Sequence, residues 1–186
     1  MPAMIIVDEI VSADGVAARP EGSIDFFVER EGLVDSVGDA ERMSRVRAVL
    51  LGAQTYREFS AYWPTQEPTL DVNRLPKHVL SRTIEHAPWG DGELPPATVE
   101  HGDAAGVALD LEERYRGDII VWGSLTVARA LLSAGVVDEV WLRVVPVAVG
   151  GGRSFWPQQD VEFRAVDTKA HPGGWTTARC QLERRR

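Results

Sequence analysis

Residues 118–152, DIIVWGSLTVARALLSAGVVDEVWLRVVPVAVGGG, constrain the fold of this chain more than any other stretch. Asp118 leads into the apolar run Ile119, Ile120, Val121 and Trp122, which breaks at Gly123-Ser124. Beyond the break, Leu125, Ala128, Leu131 and Leu132 recur at helical spacing. The spacing predicts a strand, a tight turn and a helix with Ser124 as its N-cap. Gly135 stands where a residue of positive φ ends such a helix, and the β-rich VWLRVVPVAV follows. A β-α-β unit of this kind belongs to a parallel sheet. Glycine in the first turn lets backbone approach a ligand closely, and the unpaired N–H groups of the following helix attract an anion. The turn therefore suits a phosphate-bearing cofactor or, more simply, ordinary packing.

The layout recurs upstream. Val46, Arg47, Ala48, Val49, Leu50 and Leu51 read as a strand that ends at Gly52, and Ala53 to Phe59 read as a helix. Two strand–Gly–helix turns in one parallel sheet aim two helix N-termini at the same sheet edge, as a dinucleotide site requires. Neither turn carries G-x-G-x-x-G or G-x-x-x-x-G-K-[ST], so no standard Rossmann or P-loop site follows.

With 186 residues and 44% hydrophobic content, the chain is expected to form one domain spanning 1–186. Its formal net charge of −8 gives no electrostatic footprint for nucleic acid. No apolar run is long enough to span a bilayer, and Met4-Ile5-Ile6-Val7, soon interrupted by Asp8 and Glu9, is too short for a signal-peptide core; a cytoplasmic location is expected. His78, His86, His101 and His171 are scattered, so no metal site is expected. The lone Cys180 reads as buried filler in a terminal strand.

In order, residues 4–12 read as a first strand closed by Ala13-Asp14-Gly15. Asp14 is either a functional carboxylate or the turn-former before glycine. Residues 24–28 open a segment of helical character that continues through Met43. Asp25, beside Phe26 and Phe27, is either an acid whose proton is held by burial or a first-turn carboxylate favoured by the helix dipole. Residues 64–76, with Pro64, Pro68 and Pro76, read as loop. Lys77 to Leu80 form a short strand ending in Ser81-Arg82-Thr83, whose hydroxyls and guanidinium suit a phosphate. A helix follows at 103–115, and 161–169 and 175–182 form a late hairpin around His171-Pro172-Gly173-Gly174. Arg184-Arg185-Arg186 reads as a solvated tail.

Taken in this order, Leu51-Gly52-Ala53-Gln54-Thr55-Tyr56, Val79-Leu80-Ser81-Arg82-Thr83, Val121-Trp122-Gly123-Ser124, Val137-Asp138-Glu139-Val140 and Pro146 to Gly152 resemble the dihydrofolate reductase-like superfamily. More closely, the chain resembles the C-terminal reductase domain of the bacterial riboflavin-biosynthesis deaminase–reductase and its stand-alone relatives. That resemblance implies an α/β fold: a central mixed, mostly parallel sheet flanked by helices, with a C-terminal antiparallel hairpin. It also implies a homodimer and an NADPH-dependent reductase acting on a pyrimidine, pterin or related heterocycle, of the 5-amino-6-(5-phosphoribosylamino)uracil reductase or dihydrofolate reductase type. NADPH is expected on Gly52, Ala53, Gln54 and Thr55, on Ser81, Arg82 and Thr83, and on Gly123, Ser124, Leu125 and Thr126; Asp14 and Asp25 are the expected proton donors or substrate contacts.

The chain departs from the family pattern at three places. Ala53-Gln54 stands where an arginine often contacts cofactor phosphates, Ser124 where a second glycine is usual, and Trp122 where a carboxylate is common. These departures keep a second reading open, a nucleotide-binding or sensing protein descended from such a reductase.

Overall fold

The apolar runs pair with one another as the β-α-β pattern demands. The computed structural model describes residues 3–28, 30, 32–33, 43–66 and 71–184. Its strands are β1 (Ile5–Ser12), β2 (Val46–Gly52), β3 (Lys77–Leu80), β4 (Thr98–Glu100), β5 (Asp118–Trp122), β6 (Glu139–Val145), β7 (Phe163–Ala170) and β8 (Thr176–Leu182). Its helices are α1 (Asp25–Val28), α2 (Ala53–Tyr62), α3 (Asp71–Arg74), α4 (Ala104–Tyr115) and α5 (Leu125–Ala134). The strands form one sheet in the order β4-β3-β2-β5-β1-β6-β8-β7. Neighbours from β4 to β6 are parallel, while β8 and β7 are antiparallel additions. This is the mixed, mostly parallel sheet with a C-terminal hairpin that the sequence implies.

A parallel sheet covered on both faces needs strands apolar on both sides, and β1, β2 and β5 are almost continuously buried. On one face Ile5, Val7, Leu50, Ile119 and Val121 pack under Leu111 of α4 and Ala128 and Leu131 of α5. On the other, Ile6, Val49, Leu51, Val79 and Ile120 pack under Tyr56 of α2, Val72 of α3 and Trp89. At their amino ends the central strands are tied by carboxylates: Asp118 accepts from Met4 N (3.1 Å), and Asp138 accepts from Ile5 N (2.7 Å). Because β5 inserts between β2 and β1, the carboxyl ends of these three strands stand side by side, where a doubly wound sheet opens its crevice.

Three segments differ from the sequence expectation. Residues 64–76 are not all loop: Trp63–Thr65 makes a 3-10 turn with Pro64 in its first positions, and α3 follows. Asn73 explains the order, since its amide donates to Trp63 O (2.8 Å) and accepts from Trp89 Nε1 (2.8 Å). Of the helical reading of residues 24–43 the described residues show α1 and a helical Met43; positions 29, 31 and 34–42 lie outside the described residues. Arg184 is not a solvated charge, because its guanidinium pairs with Glu112 (2.9 Å) and with Asp138; residues 185–186 lie outside the described residues.

Trp89 is fully buried and lies 4.8 Å from the Lys77 ammonium, whose burial lowers its pKa to about 8. Trp89→Ala removes a large buried ring and the partner of Asn73, and is expected to cost about 3–5 kcal/mol of stability. Denaturant unfolding measures it, and a loss below about 1 kcal/mol would contradict this packing.

Candidate functional site

The two glycine turns are braced against each other. Gly123 has φ +54, and a Cβ there would meet Thr55 Cγ2 at 3.3 Å, so glycine brings the turn against the start of α2. Ser124 follows at φ 61, ψ 50, a left-handed conformation uncommon for a residue with a side chain. It is the N-cap residue of α5, as expected, but its hydroxyl does not cap that helix. Instead Ser124 Oγ accepts from Gly52 N (2.8 Å) and donates to Trp122 O (3.1 Å), while Ser124 N donates to Thr55 Oγ1 (3.0 Å). The serine thus joins the carboxyl ends of β2 and β5. Neither α2 nor α5 has a side-chain cap, so the first N–H groups of both helices remain available to an anion.

Around these turns lies a cavity of about 1110 Å³. All of Gly52, Ala53, Gln54, Thr55, Ser81, Arg82, Thr83, Gly123, Ser124, Leu125 and Thr126 line it. The Ser81 hydroxyl accepts from the N–H groups of Thr83 (3.1 Å) and Ile84 (3.0 Å), which turns the chain and leaves Arg82 and Thr83 exposed at the rim. Arg153 and Arg129 line the same cavity, and Arg153 Nε donates to Pro20 O (2.9 Å).

Asp14 and Asp25 are elsewhere, and neither lines the cavity. The Asp14 carboxylate accepts from the Ser12 hydroxyl (2.6 Å) and the N–H groups of Val149 (3.0 Å) and Gly150 (2.7 Å), which together pull its pKa down to about 2. It fastens the glycine loop. Asp25 is exposed and held by Arg19 (2.6 Å), whose hydrogen bond lowers its pKa.

Three carboxyls do line the cavity: Glu58 on α2, and Asp8 and Glu9, which are adjacent on β1 and so directed to opposite faces of the sheet. Asp8 pairs in register with Trp122 and Trp141; its carboxylate accepts from Trp122 Nε1 (3.1 Å) and from the buried Arg143 guanidinium. Trp122 therefore supplies a donor to a carboxylate one strand over. On that face the aromatic residues Phe27, Phe59, Tyr62 and Trp63 wall the cavity. Glu9, on the face of Val7 and Val11, is 5% exposed, and its Oε1 has no hydrogen-bond partner among the described residues. Burial first, and the neighbouring Asp8 charge second, push its pKa well above the carboxylate range. Sequence reasoning passed over both, although paired carboxylates inside an otherwise apolar central strand are a signal. Among the described residues no helix is long and apolar enough to cross a membrane, and no cluster of His, Cys, Asp and Glu could hold a metal ion.

The sequence model of the RibD C-terminal domain family matches residues 3–177. The Bacillus subtilis (strain 168) protein YyaP, itself uncharacterized, is 22% identical over 180 residues, covering 91% of this chain and 90% of YyaP. The crystal structure of a putative riboflavin biosynthesis protein from Shewanella sp. PV-4 superposes with a TM-score of 0.77 at 21% identity, covering 97% of this chain and 99% of the other. Dihydrofolate reductase from Enterococcus faecalis, complexed with NADP(H), superposes with a TM-score of 0.63 at 14% identity, covering 96% of each chain. The fold is dihydrofolate reductase-like.

Two outcomes test this geometry. Ser124→Ala leaves Gly52 N without its acceptor and is expected to cost about 1–3 kcal/mol. Ser124→Gly loses the same bonds but regains about 1–2 kcal/mol of backbone strain, so it should be the milder variant in thermal unfolding. Glu9 provides the second. Its folded pKa lies above its ordinary value of 4.5, so the folded chain holds a proton that the unfolded chain releases. As pH rises from about 4.5 through the folded pKa, wild type loses stability progressively and Glu9→Gln does not. The melting-temperature gap should widen as pH rises through that window, and parallel curves would contradict it.

Proposed function

The chain belongs to the RibD C-terminal domain family, and from that premise we propose that it is an NADPH-dependent reductase acting on a pyrimidine, pterin or related flat heterocycle. The observation that carries this reading is the meeting, in one cavity, of two uncapped helix N-termini, both glycine turns and the exposed Arg82-Thr83 rim. These features fit a dinucleotide with three phosphates: the N–H groups opening α2 and α5 hold the pyrophosphate, and Arg82 takes the 2′-phosphate. Bound there, NADPH supplies the hydride. The chain supplies orientation and exclusion of water.

On the face of Asp8, the aromatic wall of Phe27, Phe59, Tyr62 and Trp63 suits a flat ring. Asp8, fixed between Trp122 and Arg143, sets a polar edge beneath it. Asp14 and Asp25 leave the proposed catalytic set, because their carboxylates serve the 149–150 loop and Arg19. A homodimer is part of the proposal and is supported by β7, an edge strand exposed on both faces with Phe163 and Val166 among its residues.

Trp63 and Trp122 both line the cavity, so tryptophan fluorescence reports occupancy. NADPH is expected to quench it and to bind more tightly than NADH, with Arg82→Ala weakening NADPH by about tenfold and leaving NADH little changed. No response to NADPH at millimolar concentration, checked by calorimetry, would end the reductase reading. Binding without NADPH oxidation by any heterocycle would favour the non-catalytic alternative.

A further inference from the structure

The proposed function leaves Glu9 without a task. It lines the cavity on the face opposite the Asp8 pair, at the strand position following the Asp8–Trp122 register pair. A buried carboxyl is normally satisfied by donors, since its oxygens are costly to strip of water. Asp8 obeys that rule, with an indole and a guanidinium on its two oxygens. Glu9 does not: it is nine-tenths buried, and Oε1 has no partner among the described residues. The charged groups along the same cavity are Asp8 and Arg143 at its floor, Glu58 on α2, Arg82 at the rim, Arg129 on α5 and Arg153 beyond Gly152. Of these, Asp8 is the one whose charge acts on Glu9, and it favours the protonated form.

A carboxylic acid differs from a carboxylate in the partner it accepts. It presents one O–H donor beside one carbonyl acceptor, whereas a carboxylate presents acceptors only. The complement of that pair is an adjacent carbonyl and N–H, an amide edge, which closes two hydrogen bonds at once. An ammonium or guanidinium on the ligand would have no use for the O–H, and a phosphate would have no donor for Oε1. The unmet atom therefore selects a neutral, amide-like group.

We propose that Glu9 is a ligand-recognition residue that pairs with an amide edge, an adjacent carbonyl and N–H, on a molecule bound in this cavity. The proposal rests on the reductase reading for its ligands. Two of them carry the same chemistry: the carboxamide of the dihydronicotinamide ring, and the lactam edge of a pyrimidine substrate. No bond is made or broken by Glu9 in this role.

The test follows the Glu9 carboxyl directly, in the full chain labelled with [δ-¹³C]glutamate, with its signal assigned by loss in Glu9→Gln. Without ligand, the signal is expected to keep the protonated position to higher pH than the ordinary glutamate value of 4.5. A Glu9 signal that titrates at that ordinary value would overturn the proposal, whatever the protein binds. NADPH and 5,6-diaminouracil are then added separately. A shift with NADPH places the cofactor carboxamide on Glu9, and a shift with 5,6-diaminouracil alone places the pyrimidine edge there; either supports the proposal.

No shift with either, at concentrations where tryptophan fluorescence reports binding, would overturn it. Failure of NADPH to bind at all would end the reductase reading, while the diaminouracil arm would still decide Glu9: a shift supports its role, and no shift overturns it. For whichever probe moves the signal, Glu9→Leu is expected to weaken binding by about tenfold or more, and Glu9→Gln, whose amide also pairs with an amide, to retain most of the affinity. Equal binding by the Leu variant would overturn the assignment. If NADPH is the probe, its nicotinic acid counterpart, with a carboxylate in place of the amide, should bind wild type more weakly.

Discussion

The hydrogen bond from Gly52 N to Ser124 Oγ, at 2.8 Å, is the constraint on which the cavity depends. It joins the ends of two parallel strands at the point where each must release its chain into a helix. The residue that makes it occupies a left-handed conformation at a cost of about 1–2 kcal/mol. A glycine at 124 would avoid that strain, yet it could not hold β2 against β5 through a side chain. Two bonds to backbone from one hydroxyl contribute about 1–3 kcal/mol, so the local strain is offset by what it secures. Thr55 completes the brace from the other side by accepting from Ser124 N, which consumes its hydroxyl oxygen in structure. The turns can then present main-chain N–H groups of α2 and α5 to a ligand without either strand end shifting.

A second constraint governs the strand between them. Successive residues of a strand face opposite sides of the sheet, so Asp8 and Glu9 enter different surroundings although they are neighbours. Asp8 meets Trp122 and Arg143 and is fully engaged. Glu9, on the face of Val7 and Val11, is buried and has an oxygen without a partner among the described residues. The indole at the end of β5 supplies a donor to the carboxylate on β1, so a polar centre stands at the strand ends although no carboxylate stands at 122.

Much of the fold was legible because the parallel strands are buried on both faces and read as continuous apolar runs. β2, β5 and the helices after them are fixed by such runs together with Gly52, Gly123 and Gly135, the last at φ 71 as a helix terminator should be. The glycine turns that line the cavity were legible for the same reason, since a strand–Gly–helix unit has only one end at which its glycine can lie. The 64–76 segment was not, because its proline content masks two short helical turns ordered by Asn73, a contact with Trp89 sixteen residues on. Arg184 looked like a free tail because its partners, Glu112 and Asp138, are far away in sequence.

The polar lining of the cavity differs from the sequence expectation for a reason that lies in the same physics. Asp14 and Asp25 stand beside turn and helix signals that make a carboxylate conspicuous, and those local signals account for them: one ties a loop, the other pairs with an arginine. Glu9 stands inside a strand, where nothing local accounts for a charge. In a central strand flanked by parallel neighbours, each acidic residue must find a donor from another element or give up its charge. Asp8 takes the first course through residues 114 and 135 positions away, a pairing no local spacing reveals. Glu9 finds no donor for Oε1 among the described residues, and its burial favours the second. An acidic residue that local structure leaves unexplained, on a strand whose neighbours are apolar, is therefore a better pointer to a binding cavity than one at a turn.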